Sequence, residues 1–276
     1  VAVVGAARVK ASRTVFLERF RDIVAFKRSP SVLEIGTVST PADVQDLAAL
    51  TIDDDDLQDL RSCRVGDCDV QLPASAIDRF RQLPWQAPDI RAQAASLARD
   101  LFVDYVGRYR AGQTATSEYN GNRVPLRFPA EFASLLRNSP YIAALVPALP
   151  EHLRHWNGRP FEGGDDFLYW SKEKFGLRPV VSLTHVTIAH ASPTVTLITS
   201  KDIYSSRYFD ASLGLTIAAD LDDGSGFTLI YVNRSRADAL KGGFSGLKKS
   251  VVQRRALSGL ADSLRSTRLR LERSLP

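Results

Sequence analysis

The sequence has no methionine, two cysteines and four histidines among its 276 residues. No apolar run approaches the ~18 to 20 residues that a membrane-spanning helix needs, so we expect no transmembrane segment. The motifs GxSxG, GxGxxG and HExxH and the P-loop are all absent, which removes the common hydrolase, dinucleotide, zinc-protease and nucleotide-binding signatures. No motif therefore names a reaction, and function has to be inferred mainly from architecture.

The composition that is present is typical of a globular protein. Hydrophobic residues make up 44% of the chain and charged residues 24%, and a chain of this length can bury a full core. No internal repeat, low-complexity tract or long flexible linker interrupts it. We therefore predict a single domain over residues 1–276.

Helical signals dominate residues 1–160, with one early strand at residues 31–39. Residues 12–28 and 87–112 each place apolar side chains at helical spacing. The run of four aspartates from Asp53 to Asp56 favours a helix N-terminus, where carboxylates meet the positive end of the helix dipole. A calcium loop would need an oxygen ligand where Leu57 stands.

The pattern changes to strands in residues 161–276. Five segments rich in β-branched and aromatic residues are separated by turn signals, and no helix fits between them. We therefore predict an antiparallel β-meander, followed by a long helix near the C-terminus. The predicted fold class is α+β, with a helix-rich N-terminal half.

This order of elements resembles the helix-grip fold of START lipid-transfer domains, polyketide cyclases and the major birch pollen allergen. The resemblance covers residues 160–272 and the strand at 31–39, and it concerns architecture, not a diagnostic motif. It implies a curved sheet wrapped around the C-terminal helix, enclosing an apolar cavity for a lipid, sterol or polyketide-like ligand.

Polar side chains on the strands are candidates for fixing a ligand in such a cavity. Each of them has a competing interpretation as a sheet residue with a purely structural hydrogen bond. The candidates are Tyr169, His185, Tyr208, Asp210, Tyr231 and Asn233.

The histidines do not predict a metal site or a cofactor. His152 and His155 are three residues apart, but prolines interrupt this segment and the HExxH order is missing. His185 and His190 are five residues apart on a predicted strand, so we expect them to point to opposite faces. We expect the Asp165-Asp166 pair to begin a strand at the surface.

The net charge of +5 is concentrated near the C-terminus. Three interpretations of the basic helix remain open: a solvated face, a contact with an anionic membrane, or a docking surface for a protein partner. Nucleic acid is not an expected partner, because no aromatic residues interleave the basic ones. The basic residues of this segment are Lys248, Lys249, Arg254, Arg255, Arg265, Arg268, Arg270 and Arg273.

The two cysteines form the pattern C-x4-C in the stretch CRVGDC. The spacing fits neither haem attachment nor thiol oxidoreductases, and zinc would need further ligands nearby. Gly66-Asp67 is a turn signal, so we favour a disulfide between Cys63 and Cys68 over two free thiols. A disulfide and an N-terminus resembling the end of a removed signal peptide predict a periplasmic or secreted protein.

Three functions are compatible with these patterns. The first is an exported, non-enzymatic protein that binds or carries a hydrophobic small molecule or lipid in an internal cavity. The second is an accessory subunit of a larger protein complex, membrane-associated or not. The third is a cyclase-like enzyme, which needs a Tyr, His or Asp with a perturbed pKa inside the cavity.

Overall fold

The computed structural model describes residues 2–113, 118–121, 124–175, 178–237 and 245–273, with the side chains of the last range described from Leu257 onward. Within these residues the main sheet has seven strands, in the spatial order β1-β9-β8-β7-β6-β5-β2, and all neighbours are antiparallel. The strands are β1 (Ala2–Val9), β2 (Val32–Val38), β5 (Asp165–Phe175), β6 (Arg178–Ser192), β7 (Val195–Ser205), β8 (Ala211–Asp220) and β9 (Phe227–Arg236). A short separate pair is formed by β3 (Glu118–Tyr119) and β4 (Leu126–Arg127).

The helices lie mostly before the meander. They are α1 (Arg13–Arg21), α2 (Ile23–Lys27), α3 (Asp54–Ser62), α4 (Ala74–Arg81), α5 (Ile90–Arg110), α6 (Phe128–Arg137), α7 (Pro140–Leu145), α8 (Leu149–His155) and α9 (Ser245–Glu272), with a 3₁₀ turn at Val44–Leu47. Asp53 caps α3 by accepting a 2.8 Å hydrogen bond from the Asp56 amide, so the aspartate run begins a helix as predicted. The α+β class, the antiparallel meander and the C-terminal helix are confirmed.

The prediction of one early strand was wrong, because two strands of the main sheet, β1 and β2, precede the meander. Residues 2–9 form β1, which pairs along its whole length with β9, from Ala2 opposite Arg234 to Val9 opposite Phe227. The pairing partner lies more than 200 residues away in sequence, so no local turn signal marks this strand.

The main sheet has two covered faces, which we call the α9 face and the helical face. The α9 face packs against α1, α2 and α9 through a cluster that includes Phe16, Val186, Ile198 and Leu271. The helical face packs against α5, α6, α7 and α8. Its buried side chains include Leu168, Trp170, Leu183, Leu197, Leu213 and Leu215. Because successive strand residues alternate between faces, neighbours in sequence are exposed to different surroundings.

Helix α9 lies along β1 and ends against α1 and α2. It approaches β1 closely at Gly5, where an added Cβ would lie 2.6 Å from a methyl carbon of Leu264. At its C-terminal end, Arg270 donates to the Phe26 carbonyl and accepts from Arg19 through its own carbonyl, each at 2.9 Å. The described half of α9 is therefore held by packing on β1 and by hydrogen bonds to α1 and α2.

Candidate functional site

A mostly apolar cavity of about 400 Å³ lies on the helical face, between α3, α4, α5 and the neighbouring ends of β6 and β7. The polar residues Asp56, Arg108, Glu118 and Asn120 also line it. Its volume falls at the lower end of the ~300–1,000 Å³ typical of small-molecule pockets. The apolar lining residues include Leu50, Ile52, Leu60, Val70, Leu72, Phe80, Ala98, Leu101, Phe102 and Val181.

Helix α3 forms one wall of this cavity and is fixed to the sheet by buried ion pairs. Arg207 donates to Asp56 and to Asp59, each at 2.6 Å, with only 5% of its side chain exposed. The ammonium group of Lys172 lies 3.3 Å from a carboxylate oxygen of Asp53 and 3.6 Å from one of Asp56. Because breaking a buried pair leaves an unpaired charge, these contacts hold α3 in one position.

The two cysteines are joined by a disulfide at the end of α3. Cys63 is the C-cap of the helix, and its amide donates to the Asp59 carbonyl. The Cys68 amide donates to the Gly121 carbonyl at 2.9 Å. The disulfide therefore links α3 to the segment that supplies Val70 and Leu72 to the cavity lining.

A polar row crosses the α9 face of the sheet on neighbouring strands. Tyr169 pairs with Thr184, Thr184 with Asp202, and Asp202 with Ser212. The Thr184 hydroxyl donates to Asp202 at 2.8 Å. Burial raises the pKa of Asp202 to about 6, although this hydrogen bond works in the opposite direction.

Tyr231 and Asn233 continue this polar region on β9. The Asn233 amide nitrogen lies 3.4 Å from the Ser212 hydroxyl, and its amide oxygen accepts from Ser235 at 2.7 Å. Glycine at position 214 leaves room for the Tyr231 ring, because an added Cβ would lie 3.2 Å from the Tyr231 hydroxyl. The α9 face thus combines an apolar cluster with a hydrogen-bonded polar region.

A second polar cluster is buried on the helical face, around Asp166. His185 on β6 and His152 on α8 place their Nε2 atoms 2.6 Å and 3.0 Å from the same oxygen of Asp166. Thr187 donates to that oxygen at 2.6 Å. On its other nitrogen, Nδ1, His185 lies 2.8 Å from the Tyr109 hydroxyl of α5.

Burial acts against ionisation of both central groups in this cluster. It opposes the charge on Asp166, but hydrogen bonds from His152 and His185 outweigh it and hold the pKa of Asp166 far below its usual range. Burial lowers the pKa of His185 to about 4, although the nearby Asp166 favours the protonated form. Near neutral pH the cluster therefore holds a carboxylate and a neutral imidazole.

Lys201 lies near this cluster on β7. Its ammonium group donates to the Leu153 carbonyl at 2.7 Å and lies 4.4 Å from the centre of the Phe132 ring. Only 3% of the residue is exposed. Burial lowers the pKa of Lys201 to about 7.

The structure brings three of the six predicted ligand-binding residues to one region and separates the others. Tyr169, Tyr231 and Asn233 lie on the α9 face. His185 lies on the opposite face in the Asp166 cluster. None of the four lines the cavity between α3, α4 and α5.

Tyr208 and Asp210 lie in the turn between β7 and β8, not on a strand. Strand β7 ends at Ser205 and β8 begins at Ala211, and in the connection between them Tyr208 adopts a left-handed backbone with φ of 64°. Asp210 is buried, and its amide donates to the Arg236 carbonyl at 2.8 Å. The prediction that both residues belong to the strand was wrong.

Two features of the structure were not predicted from the sequence: the burial of Asp166 and the cavity on the helical face. Asp166 was expected at the surface, but its side chain is 2% exposed, whereas that of Asp165 is 49% exposed. Strand alternation carries the signal, since two consecutive aspartates on a strand cannot both face solvent when both faces are covered. No local sequence pattern predicts the cavity, because its lining comes from separate helices and depends on how they pack together.

Two basic residues of the C-terminal helix, Arg268 and Arg270, make contacts within the chain. Arg268 pairs with Glu272 at 3.0 Å, and Glu272 also accepts from the Lys10 amide at 3.0 Å. Arg270 packs on the Phe26 ring. The predicted contributions of Lys248, Lys249, Arg254 and Arg255 lie outside the residues whose side chains are described.

No helix in the described part of the chain combines the length and apolar character needed to cross a bilayer. The chain matches no protein-family model, and searches of curated proteins and solved structures found no match.

Proposed function

We propose that this protein binds a small apolar molecule in the cavity on the helical face, and that it acts as a binding or carrier protein. The observation that carries the proposal is the cavity itself, about 400 Å³ in volume with a mostly apolar lining. Burying apolar ligand surface there is favourable by roughly 25 cal/mol per Å². A lipid-like single chain or a compact ring system suits a space of this size.

The polar lining residues supply orientation. Arg108 and Asn120 bring donors to a mainly apolar space, and Asp56 and Glu118 bring acceptors. A ligand with an apolar body and one polar end, such as a carboxylate or hydroxyl, would place that end at these groups. Arg108 is the group suited to a carboxylate, since a guanidinium can donate to both of its oxygens.

The arrangement of elements supports a helix-grip-like fold as part of this proposal. A strand and two helices come first, the antiparallel strands follow, and the final helix packs along β1. The cavity lies on the opposite side of the sheet from α9. The additional helices α3, α4 and α5 would thus provide a binding space different from the one that the resemblance implies.

The disulfide supports the proposal of a periplasmic or secreted location. Disulfides persist in oxidising compartments and are rare in the reducing cytosol. Cys63 is fully buried and Cys68 is partly buried, so an external thiol can approach this bond only from the Cys68 side. Such a location would require a signal peptide, which remains part of the proposal.

Native mass spectrometry of the purified protein, before and after organic extraction, tests ligand binding directly. We expect a mass adduct under native conditions that disappears on extraction. For a protein stripped of ligand, we expect saturable binding of anilinonaphthalene sulfonate, a fluorophore with an apolar ring system and one anionic end. Absence of both an adduct and saturable binding would contradict the proposal.

A matched pair of variants on α5 locates the site. Ala98 lines the cavity and Ala92 is exposed on the same helix, so Ala98→Phe fills the cavity and Ala92→Phe does not. We expect Ala98→Phe to weaken fluorophore binding at least about tenfold, equal to about 1.4 kcal/mol. Equal affinity of the two variants would place the fluorophore elsewhere.

A further inference from the structure

We propose that His152, Asp166 and His185 form a binding site for a transition-metal dication, with Zn²⁺ as the expected ion. In the described part of the chain, these three side chains can each offer one ligand atom, all within 4.8 Å of one another. They come from α8, β5 and β6, so the site is assembled from three packed elements. The site is separate from the cavity and does not depend on the proposed function.

The hydrogen bonding around Asp166 is crowded. His185 and Thr187 each direct a donor to the same oxygen at 2.6 Å, and Nε2 of His152 lies 3.0 Å from that oxygen and 3.2 Å from the other. Because a carboxylate oxygen offers about two lone pairs, His152 shares its donor between the two oxygens. A metal ion bound to that oxygen would use both imidazole nitrogens as ligands, not as hydrogen-bond donors.

The spacing allows an ion with a small adjustment. Tetrahedral bonds of about 2.1 Å place neighbouring ligand atoms roughly 3.4 Å apart. The two nitrogens now lie 2.6 and 3.0 Å from the oxygen, so each nitrogen–oxygen distance must lengthen by less than about 1 Å. Two imidazoles and one carboxylate favour zinc and its neighbours over Mg²⁺ or Ca²⁺, which prefer oxygen ligands.

The outer contacts are those that orient metal ligands in proteins. The Nδ1 atom of His185 lies 2.8 Å from the Tyr109 hydroxyl, which fixes the ring and leaves Nε2 for the ion. The Phe161 amide donates to the second oxygen of Asp166 at 2.6 Å. Trp156 lies against the His185 ring, with centroids 4.1 Å apart.

The side of the cluster nearest the surface gives an entry path. The side chain of His152 is 15% exposed, whereas those of Asp166 and His185 are 2% and 0% exposed. Three protein ligands leave a fourth position for water or another small ligand. The site therefore resembles an exchangeable metal site more than a closed structural one.

The test is metal binding by the full chain after treatment with a chelator. We expect one equivalent of Zn²⁺ by elemental analysis, and visible d–d absorption when Co²⁺ is added instead. Zn²⁺ should raise the melting temperature, and Mg²⁺ at the same concentration should not. Failure to bind either Zn²⁺ or Co²⁺ would overturn the proposal.

A second pair of variants separates the site from surface binding. His152→Ala removes a ligand that is near the surface, and His155→Ala removes an exposed histidine from the same helix. We expect Co²⁺ binding to weaken at least about tenfold in the first variant and to stay unchanged in the second. Tyr109→Phe, which alters only the outer contact, should weaken it by about tenfold. Equal loss in both histidine variants would contradict the assignment.

Discussion

The two faces of the sheet receive alternate residues from the same strands and yet differ in character. On β7, Lys201 faces the helices and lies against aromatic rings, whereas its neighbour Asp202 faces the α9 side and accepts from Thr184. The helical face holds the cavity and the Asp166 cluster. The α9 face holds a hydrogen-bonded polar row beside an apolar cluster. The difference shows that alternation assigns a residue to a face, and that the covering helices decide what the face can do.

The largest expected effect comes from adjacent residues on β5 that point to opposite faces. Trp170 is fully buried on the helical face, and its indole donates to the Asp46 carbonyl at 2.8 Å. We expect Trp170→Ala to lower the free energy of unfolding by about 3–5 kcal/mol, because it creates a large cavity.

The matched change on the α9 face is Tyr169→Phe, which removes one hydroxyl and keeps the ring. We expect a loss of about 1 kcal/mol. Urea unfolding followed by circular dichroism measures both variants. Similar losses would show that the Tyr169 hydroxyl alone stabilises the fold as much as the whole Trp170 side chain does.

The next prediction concerns how the stability contributed by one residue on each face depends on pH. Burial lowers the pKa of Lys201 to about 7 from 10.5, so the folded state releases its proton more easily than the unfolded state. The contribution of Lys201 to stability therefore improves as the pH rises from about 7 towards 10. Burial raises the pKa of Asp202 from 3.8 to about 6, so its contribution is lost as the pH rises through that interval.

Removing each group should remove its part of the pH profile. Relative to the wild type, Lys201→Met should be more stable near pH 6 to 7 by up to about 4 kcal/mol and lose that advantage by about pH 10. Asp202→Asn should match the wild type near pH 4 and gain about 3 kcal/mol by pH 7. Thermal unfolding between pH 4 and pH 10 measures both effects, as the difference in the free energy of unfolding between the wild type and each variant. If the stability differences of the two variants changed with pH in the same direction, the prediction that Lys201 and Asp202 have opposite pH dependences would be wrong.

The last expected effect concerns the cavity wall alone. Replacing Cys63 and Cys68 together by serine removes the link at the end of α3, and we expect a loss of about 2 kcal/mol in the chain-entropy model for so short a loop. Hydrogen exchange should quicken in α3 and in residues 68–72, and stay unchanged in β1 and β9. Faster exchange throughout the sheet would show that the disulfide stabilises more than this wall.

Local patterns in the sequence predict much of this fold. The five strands of the meander follow from β-branched segments between turn signals, and the start of α3 follows from Asp53 as its cap. The disulfide followed from a turn between two nearby cysteines. In each case the residues that form the structure are close together in sequence.

The features that could not be predicted depend on distant residues. Strand β1 needs β9, more than 200 residues later. The Asp166 cluster needs His152 from a helix and His185 from the next strand, with Tyr109 contributed by α5. The cavity needs three helices packed on the sheet. Such arrangements follow from tertiary packing, which one sequence does not display.

Amide chemical shifts during titration with anilinonaphthalene sulfonate would test most directly where the apolar ligand binds. Binding in the cavity predicts that the perturbed amides cluster at Leu60, Leu101 and Phe102, which line it. Perturbation centred on Tyr169, Tyr231 and Asn233, with those cavity amides unchanged, would place the ligand on the α9 face and contradict the account.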